Sequence, residues 1–371
     1  MSLKKIFYYD EFSCAGGKCP DNCCHGWSIP LDEAARQRFL KEKGLLGLSL
    51  RLCMRGKEQK IFSAMSISCP FLTPGGWCSL QKRRGEEFIP DVCREYPRIR
   101  MNYGPEAEFL LDLSCIRMAE LFLQHLDENE LKEAEQCELP EQYGDNDDET
   151  YFRELLDWRR EIVSRIRSSA EGGAETLNNC LSTITAHAYE VQGKMLKGEE
   201  TGVLSDICAE KKTASLFPLS INAVNEMMST CFFEGWMQYS APFLYRLCKM
   251  YYRGFDRLNY RQGEKKLSEL FEKHIASDPH MVKILAEYFI STVNCRFLQC
   301  YEDYSPYRRL TDGLISMNLI MLFYMLWAAK YGPPPERTLA HIISVTEKRV
   351  FHNDMALKDL HAALQPEVFG K

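Results

Sequence analysis

From Thr150 onward, apolar residues recur at three-to-four spacing, the period of an α-helix with one buried face. Phe152, Leu155, Leu156, Ile162, Val163 and Ile166 begin the series. The same pattern predicts helices over 175–196, 219–254, 264–276, 280–303, 307–331, 336–351 and 355–364. Breakers separate them, notably Asp278-Pro279 and Gly332-Pro-Pro-Pro335. No strand-like alternation interrupts this stretch, so residues 151–371 read as an all-helical bundle domain.

The first 126 residues are patterned differently. Short apolar runs are broken by Pro20-Asp-Asn22, Pro74-Gly-Gly76, Pro97 and Gly104-Pro105, all turn punctuation. Two helices stand out: Leu31 to Leu40, entered through Pro30, and Phe109 to Leu126, with Cys115 inside it. The fold class is therefore mainly α, a loop-rich module followed by a helical bundle.

Charge divides the 371-residue chain the same way. Residues 1–120 carry a net +3, residues 127–149 a net −10, and residues 150–371 a net +1. The acidic segment 127–150, with Leu139-Pro-Glu-Gln-Tyr-Gly-Asp-Asn-Asp-Asp-Glu149 at its heart, reads as a solvated linker. An overall net charge of −6 speaks against a nucleic-acid partner. The apolar run Leu314 to Ala329 contains Ser316 and Asn318 and falls short of the roughly 20 residues that span a bilayer. It reads as a buried helix, and no membrane role is expected. The N-terminus shows no apolar signal region, which points to the cytoplasm.

Cysteine changes the picture most. Nine of sixteen cysteines fall in the first 115 residues, and eight form two sets. One is Cys14, Cys19, Cys23 and Cys24; the other is Cys69, Cys78, Cys93 and Cys115. In a reducing compartment such sets are not a disulfide framework. Thiolates around Gly, Pro and Asn turns hold zinc or an iron–sulfur cluster. Spacing alone fits both about equally, and all-cysteine ligation without a paired His favours iron. His25 is a further ligand candidate. Cys53, Cys137, Cys180, Cys208, Cys231, Cys248, Cys295 and Cys300 read as buried small residues.

The first 120 residues resemble the flagellin lysine-N-methylase (FliB-type) family, with its Cys-rich zinc- or iron-chelating module. The matching pieces are Phe12-x-Cys14-x4-Cys19-x3-Cys23-Cys24-x-Gly26-Trp27, Leu31-Asp32, Cys69-Pro-Phe-Leu72, Trp77-Cys78-Ser-Leu80 with Gly85, Cys93-Arg-Glu-Tyr-Pro-Arg98, and Leu111-Asp-Leu-Ser-Cys115. Ile116 stands where the family often has Pro. The resemblance implies methyl transfer from S-adenosylmethionine to lysine side chains of flagellin, with a 4Fe–4S cluster in the module.

That chemistry needs a deprotonated lysine and a held donor. No Gly-rich dinucleotide fingerprint follows a strand, so the donor site is expected beside the cluster. The radical signature Cys-x3-Cys-x2-Cys is incomplete, because Gly26 takes its third position. Asp32, Glu95 and Asp112 are candidates to accept the lysine proton. Trp27 and Tyr96 are candidates to pack on a sulfonium or ammonium. Arg94 and Arg98 are candidates to pair with the donor carboxylate. Two other classes stay open: a non-catalytic binding module stapled by metal, and an iron–sulfur redox carrier using the vicinal Cys23–Cys24 pair.

Overall fold

The computed structural model describes residues 2–21, 23–24, 29–55, 60–61, 69–135, 137–207, 218–232, 241–351, 357 and 360–361. It is mainly helical, as the sequence predicts. Helices α1 (Glu33–Lys41), α2 (Gly44–Cys53), α3 (Ser79–Arg84), α4 (Asp91–Glu95) and α5 (Ile116–Gln124) belong to the cysteine region. Then come α6 (Glu149–Glu171), α7 (Ala174–Lys197), α8 (Ile221–Phe232), α9 (Pro242–Phe255), α10 (Tyr260–Phe271), α11 (Pro279–Arg296), α12 (Pro306–Tyr331) and α13 (Glu336–Phe351). The helix expected over 355–364 lies mostly outside the described residues.

A four-stranded sheet is the main departure from the sequence reading. Its order is β4 (Arg98–Asn102), β5 (Glu106–Leu111), β1 (Ser2–Ile6), β6 (Leu131–Glu133). β4 and β5 form an antiparallel hairpin, β1 runs parallel to β5, and β6 returns antiparallel to β1. Two further short strands, β2 (Met54–Arg55) and β3 (Lys60–Ile61), pair with each other. Phe109 to Leu111, expected as helix, is strand. The cause is burial on both faces: all six residues of β5 are buried, so the period-2 signal is absent. Glu106 and Glu108 survive there because Lys4 and Arg159 pair with them. Helix begins at Ile116, after a turn in which Asp112 Oδ1 accepts the Ser114 N–H at 2.8 Å.

The acidic 127–150 segment contributes β6 and buries Asn129, whose amide reaches Glu287 Oε2 at 2.9 Å. Lys82-Arg83-Arg84 forms the exposed end of α3. One core joins sheet and bundle, from Leu3 and Phe109 through Trp158 and Phe289 to Met317. α12 runs through its centre; the most apolar window of this 26-residue helix is 89% buried within the protein. α13 packs on α5, which fixes the end of the bundle against the cysteine region. A second, smaller core of Ile29, Phe39, Leu50, Phe71, Leu80 and Ile89 serves that region alone.

Candidate functional site

The structure gathers all eight cysteines of the two sets around one cavity of about 260 Å3. Local turns explain how. In the first loop the Gly16 N–H donates to Cys14 Sγ at 3.3 Å, and Cys19 Sγ donates to the Asp21 carbonyl at 3.2 Å. The second set is joined to the first by the backbone, where the Cys69 N–H meets the Cys24 carbonyl at 2.7 Å. A tight hairpin follows, with Leu72 bridged to Cys78 and the Ser79 N–H on the Phe71 carbonyl at 2.8 Å. Cys78 caps α3, Cys93 sits within α4, and Cys115 caps α5.

Three of these cysteines repeat one motif. Backbone amides two and three residues on lower the thiol pKa electrostatically, Phe71 and Leu72 at Cys69, Leu80 and Gln81 at Cys78, Arg117 and Met118 at Cys115, without closing to a cap hydrogen bond at Cys78 or Cys115. A neutral thiol gains little from such donors, whereas a thiolate gains a charge-assisted bond. The N–H pattern thus prepares the sulfurs to carry charge.

Burial opposes that charge. It pushes Cys115 up to about 12, and raises Cys19, Cys78 and Cys93, the last also through the neighbouring Cys69, Cys23 and Cys78. Cys24 hydrogen-bonds both Cys23 and Cys69, which raises Cys24 and lowers Cys69. Cys23, stabilised first by that bond and also by Lys348, falls to about 7. Crowded thiols of this kind ionise together only when a positive centre is bound among them. Among the described residues no three Cys, His, Asp or Glu side chains close around a single metal ion.

The rest of the wall is mixed. Phe12, Ile29, Leu80 and Ile89 supply apolar surface, and Arg94, Arg98 and Tyr96 supply polar groups. Arg94 is held by Asp91 at 2.8 Å and by Glu87 at 3.3 Å. The Arg98 guanidinium lies 5.0 Å from the centre of the Phe12 ring. Tyr96 Oη shares a 2.9 Å hydrogen bond with Ser114 Oγ, and burial, with Asp112 nearby, pushes its phenol well up.

Asp32, Glu95 and Asp112 do not line the cavity. Asp32 spends both oxygens on backbone, taking Ala35 N–H at 2.6 Å and Asp91 N–H at 2.8 Å. Glu95 pairs with Arg94 and Arg100, and Asp112 orders the turn into Cys115. Trp27 and His25 lie outside the described residues. Of the remaining cysteines, Cys248 and Cys300 are buried as expected, while Cys137 is exposed. It lies in the polar 127–150 stretch, which has too little apolar neighbourhood to cover it. Cys208 lies outside the described residues, as does the side chain of Cys231.

Sequence reasoning missed Trp77, which is half exposed on the cavity wall. A methyl group on Gly17 would sit 2.1 Å from its indole nitrogen, and one on Gly16 would sit 2.8 Å from the ring. The Gly16-Gly17 pair was the signal, since it admits a large ring against the backbone. Asp21 and Arg117 also line the cavity and were missed.

About a third of this chain is similar to lysine-N-methylases. Those of Salmonella typhimurium (strain LT2) and Salmonella choleraesuis (strain SC-B67) are each 29% identical over 142 residues, 36% of this chain and 35% of theirs. The flagellar biosynthetic protein FliU of Salmonella muenchen is 29% identical over 124 residues, 31% of this chain and 73% of that protein. The chain thus spans about a third of the length of the two lysine-N-methylases. No family model matches it, and no solved structure matches it.

Proposed function

We propose that the chain is an S-adenosylmethionine-dependent protein lysine N-methyltransferase in the cytoplasm, acting on flagellin or a similar protein with surface lysines. In this reading cysteines drawn from the two N-terminal sets hold a 4Fe–4S cluster, which takes at most four of the eight. The observation that carries it is the convergence of all eight on one cavity that also presents Arg98 and Tyr96. The similarity to lysine-N-methylases supports the reaction class. An all-sulfur donor set suits a soft centre, zinc or iron–sulfur. All-cysteine ligation without a paired His favours the iron–sulfur cluster.

When bound, the cluster supplies an iron centre on which the donor's amino and carboxylate groups can rest. The chain's residues do the remainder. Arg98 has no ion pair among the described residues and faces the cavity, so it is placed to take the donor carboxylate. The apolar wall lowers the pKa of an entering lysine by desolvation. Its neutral amine then attacks the methyl carbon; the N–C bond forms, the S–C bond breaks, and the electron pair stays on sulfur. The amine sheds its proton to solvent before the attack and the methylated amine leaves as an ammonium; Tyr96, kept a neutral phenol by burial and bonded to Ser114, is placed to pack on the cation. Asp32 and Glu95 shape the surrounding loops.

A second reading, a zinc staple, is favoured by the small satellite core. Six buried apolar residues are few to hold a module by themselves. One experiment separates the two. Protein purified without oxygen is assayed for iron and zinc, for S-adenosylmethionine binding, and for methylation of flagellin lysines by mass spectrometry. Brown protein that binds the donor and methylates lysine supports the enzyme. Stoichiometric zinc, or a cluster-bearing protein that ignores the donor, sinks it.

A further inference from the structure

The cavity's cysteines come from the start of the chain, yet one cation beside them comes from the far end. Lys348, in the last turn of α13, pairs through Nζ with Asp21 Oδ2 at 2.7 Å, across 327 residues of sequence. Both side chains are largely closed to solvent, 17% and 13% exposed. Asp21 lines the cavity between Cys19 and Cys23, and its carbonyl takes the Cys19 thiol. The ammonium favours the charged form of both those cysteines and outweighs Asp21 at Cys23, while Asp21 opposes it at both and outweighs it at Cys19. Screening is weak at such a site, so the charge is felt more strongly than at the surface. Arg94 and Arg117, also on the cavity wall, are engaged by Asp91 and Glu120, and Arg98 there lies over the Phe12 ring.

Resting on the reading that the cysteines hold a metal cofactor, we infer that Lys348 is a positioning residue that balances the negative charge gathered on Cys19 and Cys23, so the helical bundle completes the cofactor site. Thiolate ligands leave a bound metal centre with excess negative charge. A fixed ammonium stabilises that state, and stabilises a reduced cluster more than an oxidised one. α13 is held in place by packing on α5, whose cap is Cys115. The charge therefore arrives on a rigid element.

The test uses full-length wild type, K348Q, K348R and D21N, all purified without oxygen. Two quantities are read: metal retained per chain against a chelator, and, for a cluster, the midpoint potential followed by visible absorption. We expect K348Q to release metal about 10- to 100-fold more readily, as loss of an outer partner does elsewhere. Its potential should move negative. K348R should restore both. D21N breaks the ion pair but leaves the ammonium and removes an acid, so its potential should move the opposite way. Loss of metal in K348Q and D21N alike, with no rescue by K348R, would make the pair a mere tether and overturn the inference. So would a K348Q protein indistinguishable from wild type. A wild type that holds neither iron nor zinc removes the cofactor reading itself, and is recognised because all four proteins then behave alike.

Discussion

Asp32 Oδ2 accepts the Asp91 N–H at 2.8 Å, 59 residues along the chain, while Oδ1 caps α1 through Ala35. One carboxylate thereby ties α1 to α4, the helix that carries Cys93. Removing it unpairs two backbone donors. D32A should lose roughly 2 kcal/mol, combining a lost cap with an unsatisfied N–H. D32N keeps one acceptor and should lose less. Urea midpoints at neutral pH check the order. Burial pushes the Asp32 carboxyl up, but the Asp91 and Ala35 N–H groups and Arg38 outweigh it and hold it below its usual value. A lowered folded pKa gives stability that is present above the unfolded value of about 3.9 and lost as pH falls through the folded one. The advantage of wild type over D32N should therefore be flat above about pH 5 and shrink below about pH 4.

The cysteines divide by role, and serine replacement reads the division. C78S, C93S and C115S each remove a sulfur from the cavity wall. Each should sharply lower metal content and visible absorption in protein prepared without oxygen. C248S and C300S change sulfurs buried in the bundle core and should keep both. Equal metal loss in the two groups would mean that unfolding, not ligation, is being measured; thermal melts of the same samples tell them apart.

How far the sequence spoke depended on the range of the interaction. Helices α6, α7 and α11 to α13 were legible because an amphipathic period is written locally. The cysteine sets were legible because turn residues and close cysteine spacing are short-range too, and the structure brings both sets to one cavity. β5 was not, since burial on both faces erases alternation and its partner β1 lies about a hundred residues away. Lys348 was illegible for the same reason. Nothing near it in sequence shows that Asp21 lies opposite. Asp32 illustrates the reverse error: a carboxylate near cysteines in sequence looked chemical, yet two backbone donors had already claimed it.

Gly17 offers a check on the cavity wall itself. A methyl group there would meet the Trp77 indole at 2.1 to 2.6 Å, too close for the ring to stay. G17A should displace Trp77, change the intrinsic tryptophan fluorescence and weaken cofactor retention. Gly85 provides a contrast in the same module, because a methyl group there meets nothing within 4 Å and the strain is confined to its positive φ of 84°. G85A should cost backbone strain of about 1 kcal/mol while leaving the tryptophan spectrum unchanged.

Glu347, the neighbour of Lys348 on α13, is turned into the protein. Tyr288 donates its hydroxyl to Glu347 Oε1, and Arg296, Asp112 and Cys295 face the same pocket of charge. Burial pushes its carboxyl up to about 8 from an ordinary 4.5, with Arg296 opposing and Asp112 adding to the rise. The folded state then keeps a proton that the unfolded chain gives up. A raised folded pKa gives stability that is fully present below about pH 4.5 and is lost as pH climbs toward 8. Across that window one proton contributes a slope approaching ~1.4 kcal/mol per pH unit. E347Q has the same shape and no proton to lose, so its stability should not share the decline. Urea midpoints of both proteins at about pH 5 and about pH 8 measure the difference. A gap that widens in favour of E347Q at the higher pH places a neutral acid against Tyr288. A constant gap would mean the carboxylate is already ionised and held by Arg296. In that case α13 would present opposite charges on adjacent residues, Glu347 inward and Lys348 toward Asp21.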